Sequence, residues 1–216
     1  LQWNRWLNTN GEFIALRVDR EPFDDLRVRR ALNLAVNQQE IVEYFYGGHA
    51  ELMAYPQHPE FGAYFESLED MPESVKQLFS YDPEEARRLL TEAGVPEGFS
   101  FDMQVCSCSP SHMDLVPLLE SYFSTVGLKA NIQPMEYASF LSAMTTKTHG
   151  PAYLLSSGHV NPMTTIRKSF VTGQTWNPSQ YSDPNFDERV RILHLTRGED
   201  ERIQILRDLT REILEQ

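Results

Sequence analysis

Cysteine is almost absent from this chain, with only Cys106 and Cys108 in 216 residues. Two thiols cannot build the disulfide framework that staples small secreted domains, so cysteine usage leaves the compartment open. If Cys106-Ser107-Cys108 is extended, both thiols point to one face with Cα atoms about 6.5–7 Å apart, poor geometry for a mutual disulfide. The pair therefore reads as small side chains at a strand end. The alternative is a soft-metal or redox contact near a cleft, although two thiols alone make an incomplete metal site.

Long apolar runs are missing too: no stretch approaches the roughly 18 residues a membrane-spanning helix requires. Nor does the sequence contain Gly-x-Ser-x-Gly, Gly-x-x-x-x-Gly-Lys or His-Glu-x-x-His, the signatures of a nucleophile elbow, a phosphate loop and a zinc protease. The six histidines (His49, His58, His112, His149, His159 and His194) have no carboxylate or second histidine at a spacing diagnostic of a metal site. His58-Pro59-Glu60 reads as an ordinary turn, and His194, between Leu193 and Leu195, as a partly buried structural residue. The expectation is a protein that is not an enzyme, with neither cofactor nor metal. Basic residues are scarce, 19 against 31 acidic, for a net charge of −12. Nucleic-acid binding needs a basic footprint, so that class is excluded. Nine of those excess negative charges fall within residues 51–102, which hold twelve acidic and three basic side chains.

What is present alternates between two periodicities. Residues 12–18 read as a strand. Asp24 or Asp25 then caps a helix whose apolar face runs through Leu26, Val28, Ala31, Leu32, Ala35, Val36, Ile41, Val42 and Phe45 to a stop at Gly47-Gly48. From 51 to 80 the pattern breaks at Pro56, Pro59, Gly62 and Pro72. This reads as a long surface insertion with short helical turns, anchored by Tyr55, Phe61, Tyr64, Phe65 and Phe79. Asp82-Pro83-Glu84-Glu85 opens a second helix as a capping box, and Gly94 ends it. A strand (99–105), a helix (114–126) and a strand (128–134) have the spacing of a right-handed parallel crossover. A helix near 137–144, a strand at 151–155 and two closing helices complete an α/β chain with a small, mostly parallel sheet.

Four of these segments carry a resemblance. Pro22-Phe23-Asp24-Asp25-Leu26-Arg27-Val28-Arg29-Arg30-Ala31-Leu32 is similar to the opening of the C-terminal lobe in the family 5 extracellular solute-binding proteins, the oligopeptide, dipeptide and nickel receptors of ABC importers. Tyr81-Asp82-Pro83 with Leu89-Leu90-Thr91-Glu92-Ala93-Gly94, the crossover from Phe99 to Pro134, and Asn177-Pro178-Ser179-Gln180-Tyr181-Ser182-Asp183-Pro184-Asn185-Phe186-Asp187 resemble later stretches of that family in the same order. The resemblance covers nearly the whole chain, with 51–80 the part it covers least well. It implies one lobe of a type II periplasmic-binding-protein fold, with residues 1–20 leading in from the other lobe. It also implies an N-terminal lobe, a peptide or other small solute and a membrane permease as partners, at the periplasmic or extracellular face of the membrane. The chain opens at Leu1-Gln2-Trp3 and reads as a piece of a longer protein. A ligand-sensing domain of the same fold in a regulatory protein is the alternative; a hydrolase has only unassembled polar residues behind it.

The candidate binding residues lie where loops leave the carboxyl ends of strands, the place where α/β sheets take ligands. Leu154-Leu155-Ser156-Ser157-Gly158-His159-Val160-Asn161-Pro162 follows a strand and precedes a helix. In peptide-binding relatives this stretch resembles Trp-x-x-Asp-Tyr-x-x-Pro, whose aspartate receives the ligand's amino terminus. Alignment on Pro162 puts Leu155 at the tryptophan, Gly158 at the aspartate and His159 at the tyrosine. Without a carboxylate at Gly158 the charge-assisted anchor for an α-amino group is missing, unless an acid elsewhere substitutes. Ser156 and Ser157 add small polar contacts, and Tyr153 and Asn161 are further candidates. Trp176 offers either a flat apolar wall to the cleft or a rim aromatic packed on its own domain. Arg167 and Lys168 read as a solvated helix face.

Overall fold

The computed structural model describes residues 10–52, 55–158 and 161–216. Its centre is a four-stranded sheet in the order β1-β4-β2-β3, formed by β1 (Asn10–Leu16), β2 (Phe99–Cys106), β3 (Leu128–Met135) and β4 (Ala152–Gly158). The pairs β2–β3 and β2–β4 are parallel, and β1 runs antiparallel to β4 at one edge. The expected crossover is present: β2 passes through α5 (Pro110–Thr125) into β3, with Phe99 opposite Leu128 and Val105 opposite Pro134.

Side chains alternate across the strands, so each strand feeds two cores. On one face Phe101, Met103, Val105, Ala152 and Leu154 meet α1 (Leu26–Ala35), α4 (Pro83–Glu92) and α5 through Val28, Ala31, Ala86, Leu90, Leu119 and Phe123. On the other face Ala15, Cys106 and Tyr153 meet Phe140 and Met144 of α6 (Tyr137–Thr145). The chain's last third builds a separate helical core. There α7 (Pro162–Phe170), α8 (Pro184–Leu195) and α9 (Glu199–Glu215) bury Ile166, Phe186, Val190, Leu193, Leu206 and Leu209.

Four sequence expectations need correction. The long first helix is interrupted: α1 ends at Ala35, because Val36 turns extended. Asn37 then caps a new turn, its carboxamide oxygen accepting from Glu40 N at 3.1 Å, and α2 (Gln38–Glu40) continues into a π-helical turn at Ile41–Phe45. Glu85 does not complete a capping box. Its amide donates to Asp82, but its carboxylate is taken by Arg88. Cys106 and Cys108 form a disulfide, with Cα atoms 5.1 Å apart. The extended geometry fails because the chain turns directly after β2, where Ser109 N donates back to Cys106 O before its side chain caps α5. Finally, His194 is exposed rather than partly buried.

Between 55 and 80 the chain winds through 3₁₀ turns at Pro59–Tyr64 and Leu68–Asp70 and through α3 (Glu73–Leu78). Met71 and Val75 form a small core with Phe65, Leu68, Phe79 and Leu214 of α9, and Glu66, 8% exposed, is paired with Arg211 of α9.

Candidate functional site

A cavity of about 810 Å3 opens beside the β1–β4 edge of the sheet, bordered by α1, α5 and the end of α9. Strand β1 supplies Asn10, Glu12 and Ile14, and β4 supplies Leu154 and Ser156. Tyr46, Tyr55 and Phe170 wall it, with His112 at the start of α5 and Tyr181 from the loop before α8. Phe13 stacks on Tyr55 at 4.1 Å. Glu12 stands opposite Ser156, and Asn10 opposite Gly158.

Strand alternation divides the residues singled out in the sequence. Ser156 faces the cavity, whereas Leu155 packs with the α6 core on the opposite side. Tyr153 is 0% exposed, stacks on Phe140 at 4.1 Å and gives its hydroxyl hydrogen to Phe140 O. It offers no surface to a solute, which corrects its candidacy. Ser157 and Gly158 are half-buried at the strand end, and a Cβ on Gly158 would meet Asn10 Oδ1 at 2.8 Å. Asn161 caps α7, accepting from Thr164 N at 2.8 Å. His159 lies outside the described residues. Lys168 is not a solvated residue: it is half-buried and donates to Gly158 O at 3.0 Å, and burial lowers its pKa. Trp176 is 52% exposed and is not among the cavity-lining residues.

A knot of polar contacts fixes the loop that carries Trp176. The Lys147 ammonium donates to the carbonyls of Gln174, Thr175 and Asn177 at 2.8–2.9 Å. Asn177, 1% exposed, bridges the carbonyls of Val171 and Tyr181 through its amide nitrogen. Beneath them the buried Arg17 donates to Lys147 O at 3.0 Å and His149 O at 3.3 Å, and holds Asp19 with two 2.7 Å contacts. His149 donates from Nε2 to Pro178 O at 2.7 Å. Burial and the nearby Arg17 and Lys147 cations lower the His149 pKa from 6.5, outweighing its carbonyl contacts. The unfolded chain therefore takes up this proton first as the pH falls. Stability carried by neutral His149 is complete above about pH 6.5 and is lost downward through the folded pKa. The melting temperature is expected to drop between neutral and mildly acid pH, with the drop shallower in His149→Gln. An equal slope in both proteins would refute this.

Sequence reading passed over Glu12, Tyr46 and His112. Glu12 accepts from Tyr46 Oη and stands 3.5 Å from His112 Nε2. Burial works to raise the Glu12 pKa, but hydrogen bonds from His112 and Tyr46 outweigh it and leave it lowered. The signal was available. In β1 the alternation puts Glu12 on the same face as Ile14 and Leu16, so a carboxylate continues an apolar row. Among the described residues no group of three or more His, Cys, Asp or Glu could hold a metal ion.

Residues 3–178 match the model of the bacterial extracellular solute-binding proteins, family 5 Middle. The chain belongs to this family. It is 32% identical over 135 residues to heme-binding protein A of Haemophilus influenzae, an alignment covering 61% of this chain and 23% of that protein. It is 27% identical over 213 residues to di/tripeptide-binding protein 1 of Pseudomonas aeruginosa, covering 94% of this chain and 38% of that protein. The chain thus spans well under half the length of these curated relatives. Among solved structures, the oligopeptide-binding protein AppA of Bacillus subtilis, in complex with a nonapeptide, matches with a TM-score of 0.83 at 18% identity, over 97% of this chain and 43% of that one. NikZ of Campylobacter jejuni, in complex with Ni(L-His), matches with a TM-score of 0.80 at 22% identity, over 96% and 43%. The fold is that of type II periplasmic binding proteins, a mixed α/β layer with an open sheet flanked by helices.

Proposed function

We propose that this chain is the C-terminal lobe of an extracytoplasmic substrate-binding protein of an ABC importer. It would capture a peptide-like or other small solute against a second, N-terminal lobe and present it to a membrane permease, without catalysing a reaction. The observation that carries this reading is the alignment itself: 94% of the chain matches only 38% of a relative whose name states that it binds di- and tripeptides. The open cavity beside β1 and β4 supports that reading, since about 810 Å3 lined from several elements leaves room for a solute. Such a receptor works at the periplasmic or extracellular face of the membrane, free or lipid-anchored.

Capture that draws on both lobes should fail with one. Calorimetric titration of the 216-residue chain with trialanine and with nickel–histidine is expected to show no sub-micromolar binding. The intact polypeptide should contract in X-ray scattering with at least one ligand from a panel of short peptides, heme and nickel–histidine. Tight binding by the isolated chain, or an intact polypeptide that never closes, would sink the reading.

A further inference from the structure

We infer that Glu12 is the anchor for a positively charged nitrogen on the solute, so that this receptor takes amine- or guanidinium-bearing ligands at the β1–β4 edge. Several independent features of the cavity lead there. Glu12 lies on the cavity wall with its side chain 29% exposed, and among the described residues no Lys or Arg forms an ion pair with it. Its neighbours Tyr46, Ser111 and His112 hydrogen-bond it, and those contacts outweigh burial and hold its pKa down. His112 lines the same cavity, is 5% exposed, and has a buried Nδ1 with no hydrogen-bond partner among the described residues. This corner therefore holds a carboxylate on the cavity wall with no lysine or arginine paired to it among the described residues. A cationic nitrogen in the cavity supplies that partner.

The rest of the cavity agrees. Its two arginines, Arg29 and Arg30, are committed to the carbonyls of Phe23, Asp24, Glu215 and Gln216. Tyr46 touches the carboxylate, and Phe13 and Tyr55 line the same cavity, aromatic surface that suits the carbon frame of a cationic ligand. A charge-assisted contact in a partly desolvated wall discriminates strongly against a neutral isostere, since the latter leaves the carboxylate without its counter-charge.

This inference rests on the solute-capture reading, and the probes below separate the two. The intact polypeptide is titrated with phenethylamine, phenethyl alcohol and hydrocinnamate, which share a frame and differ in charge, and binding is followed by calorimetry and by the NMR signals of His112. Phenethylamine is expected to bind about tenfold or more tightly than the alcohol, with hydrocinnamate weakest. Glu12→Gln keeps an acceptor for Tyr46 but removes the charge, and should collapse the amine-to-alcohol ratio to near one; Glu12→Asp should retain part of it. Equal binding of amine and alcohol by the unaltered protein, a preference for hydrocinnamate, or a ratio untouched by Glu12→Gln each overturns the assignment. Should Glu12→Gln fail to fold, the ratio in the unaltered protein decides alone. An amine preference without closure would spare Glu12 and remove the capture reading; closure without an amine preference would do the reverse.

Discussion

Replacing Arg17 by methionine is expected to cost about 3 kcal/mol of stability, a large part of what holds a domain of this size together. The side chain is buried, and its guanidinium spans the end of β1 and the turn between α6 and β4. Methionine fills much of the same volume but donates nothing. The His149 carbonyl would then stay buried, and the Lys147 carbonyl partly buried, without this donor, at about 1–3 kcal/mol for a buried group. Asp19 is less affected, because 40% of its side chain is exposed and water can replace the lost contacts. The substitution has a second, independent signature. Arg17 is one of the cations that hold the His149 pKa down, so in Arg17→Met that pKa should rise. Urea denaturation measures the first effect and NMR titration the second. A loss below about 1 kcal/mol would mean the unpaired carbonyls find other donors.

The other large effect is expected from Phe186→Ala, at about 3–5 kcal/mol. Phe186 is 0% exposed and meets Tyr181 edge-on, with ring centroids 5.5 Å apart at 89°. It sits in the first turn of α8, where Asp183 accepts from its backbone amide, so the helix cannot shift inward to fill the void without breaking the cap. Ile166, Val190, Leu193, Leu206 and Leu209 would be left lining the void. Because this core is separate from the one under the sheet, the loss should appear first in α7, α8 and α9. Hydrogen exchange would show those helices opening while β2 and β3 stay protected. Uniform loss of protection across the sheet would contradict the division into two cores.

Much of the architecture was legible because the strongest local signals agreed with their surroundings. Asp25, Asp82 and Asp183 each cap a helix, and the run from Phe99 to Met135 forms the parallel crossover its spacing implies. Where the sequence misled, a single residue outweighed the pattern. The apolar stripe from Leu26 to Phe45 continues past Val36, but Asn37 offers the backbone a competing cap and the helix breaks. The cysteine pair is badly placed for a disulfide only in an extended segment, and a turn directly after Cys106 brings the two Cα atoms together. Binding surface was harder to read. Tyr153 and Leu155 lie close to Ser156 in sequence, yet a strand sends neighbours to opposite faces. The corner at Glu12, Tyr46 and His112 joins three segments far apart in the chain, and no local motif marks such a meeting. Only a charge in an apolar row pointed to it.

Gly158 and Asn10 face each other across the last pair of β1 and β4, and the Asn10 carboxamide occupies the space a side chain at 158 would need. These two positions therefore trade volume. Among homologues, a larger residue at the first should travel with a smaller one at the second, and neither change should be well tolerated in isolation. An aligned set in which the two vary independently would show that Asn10 simply rotates aside.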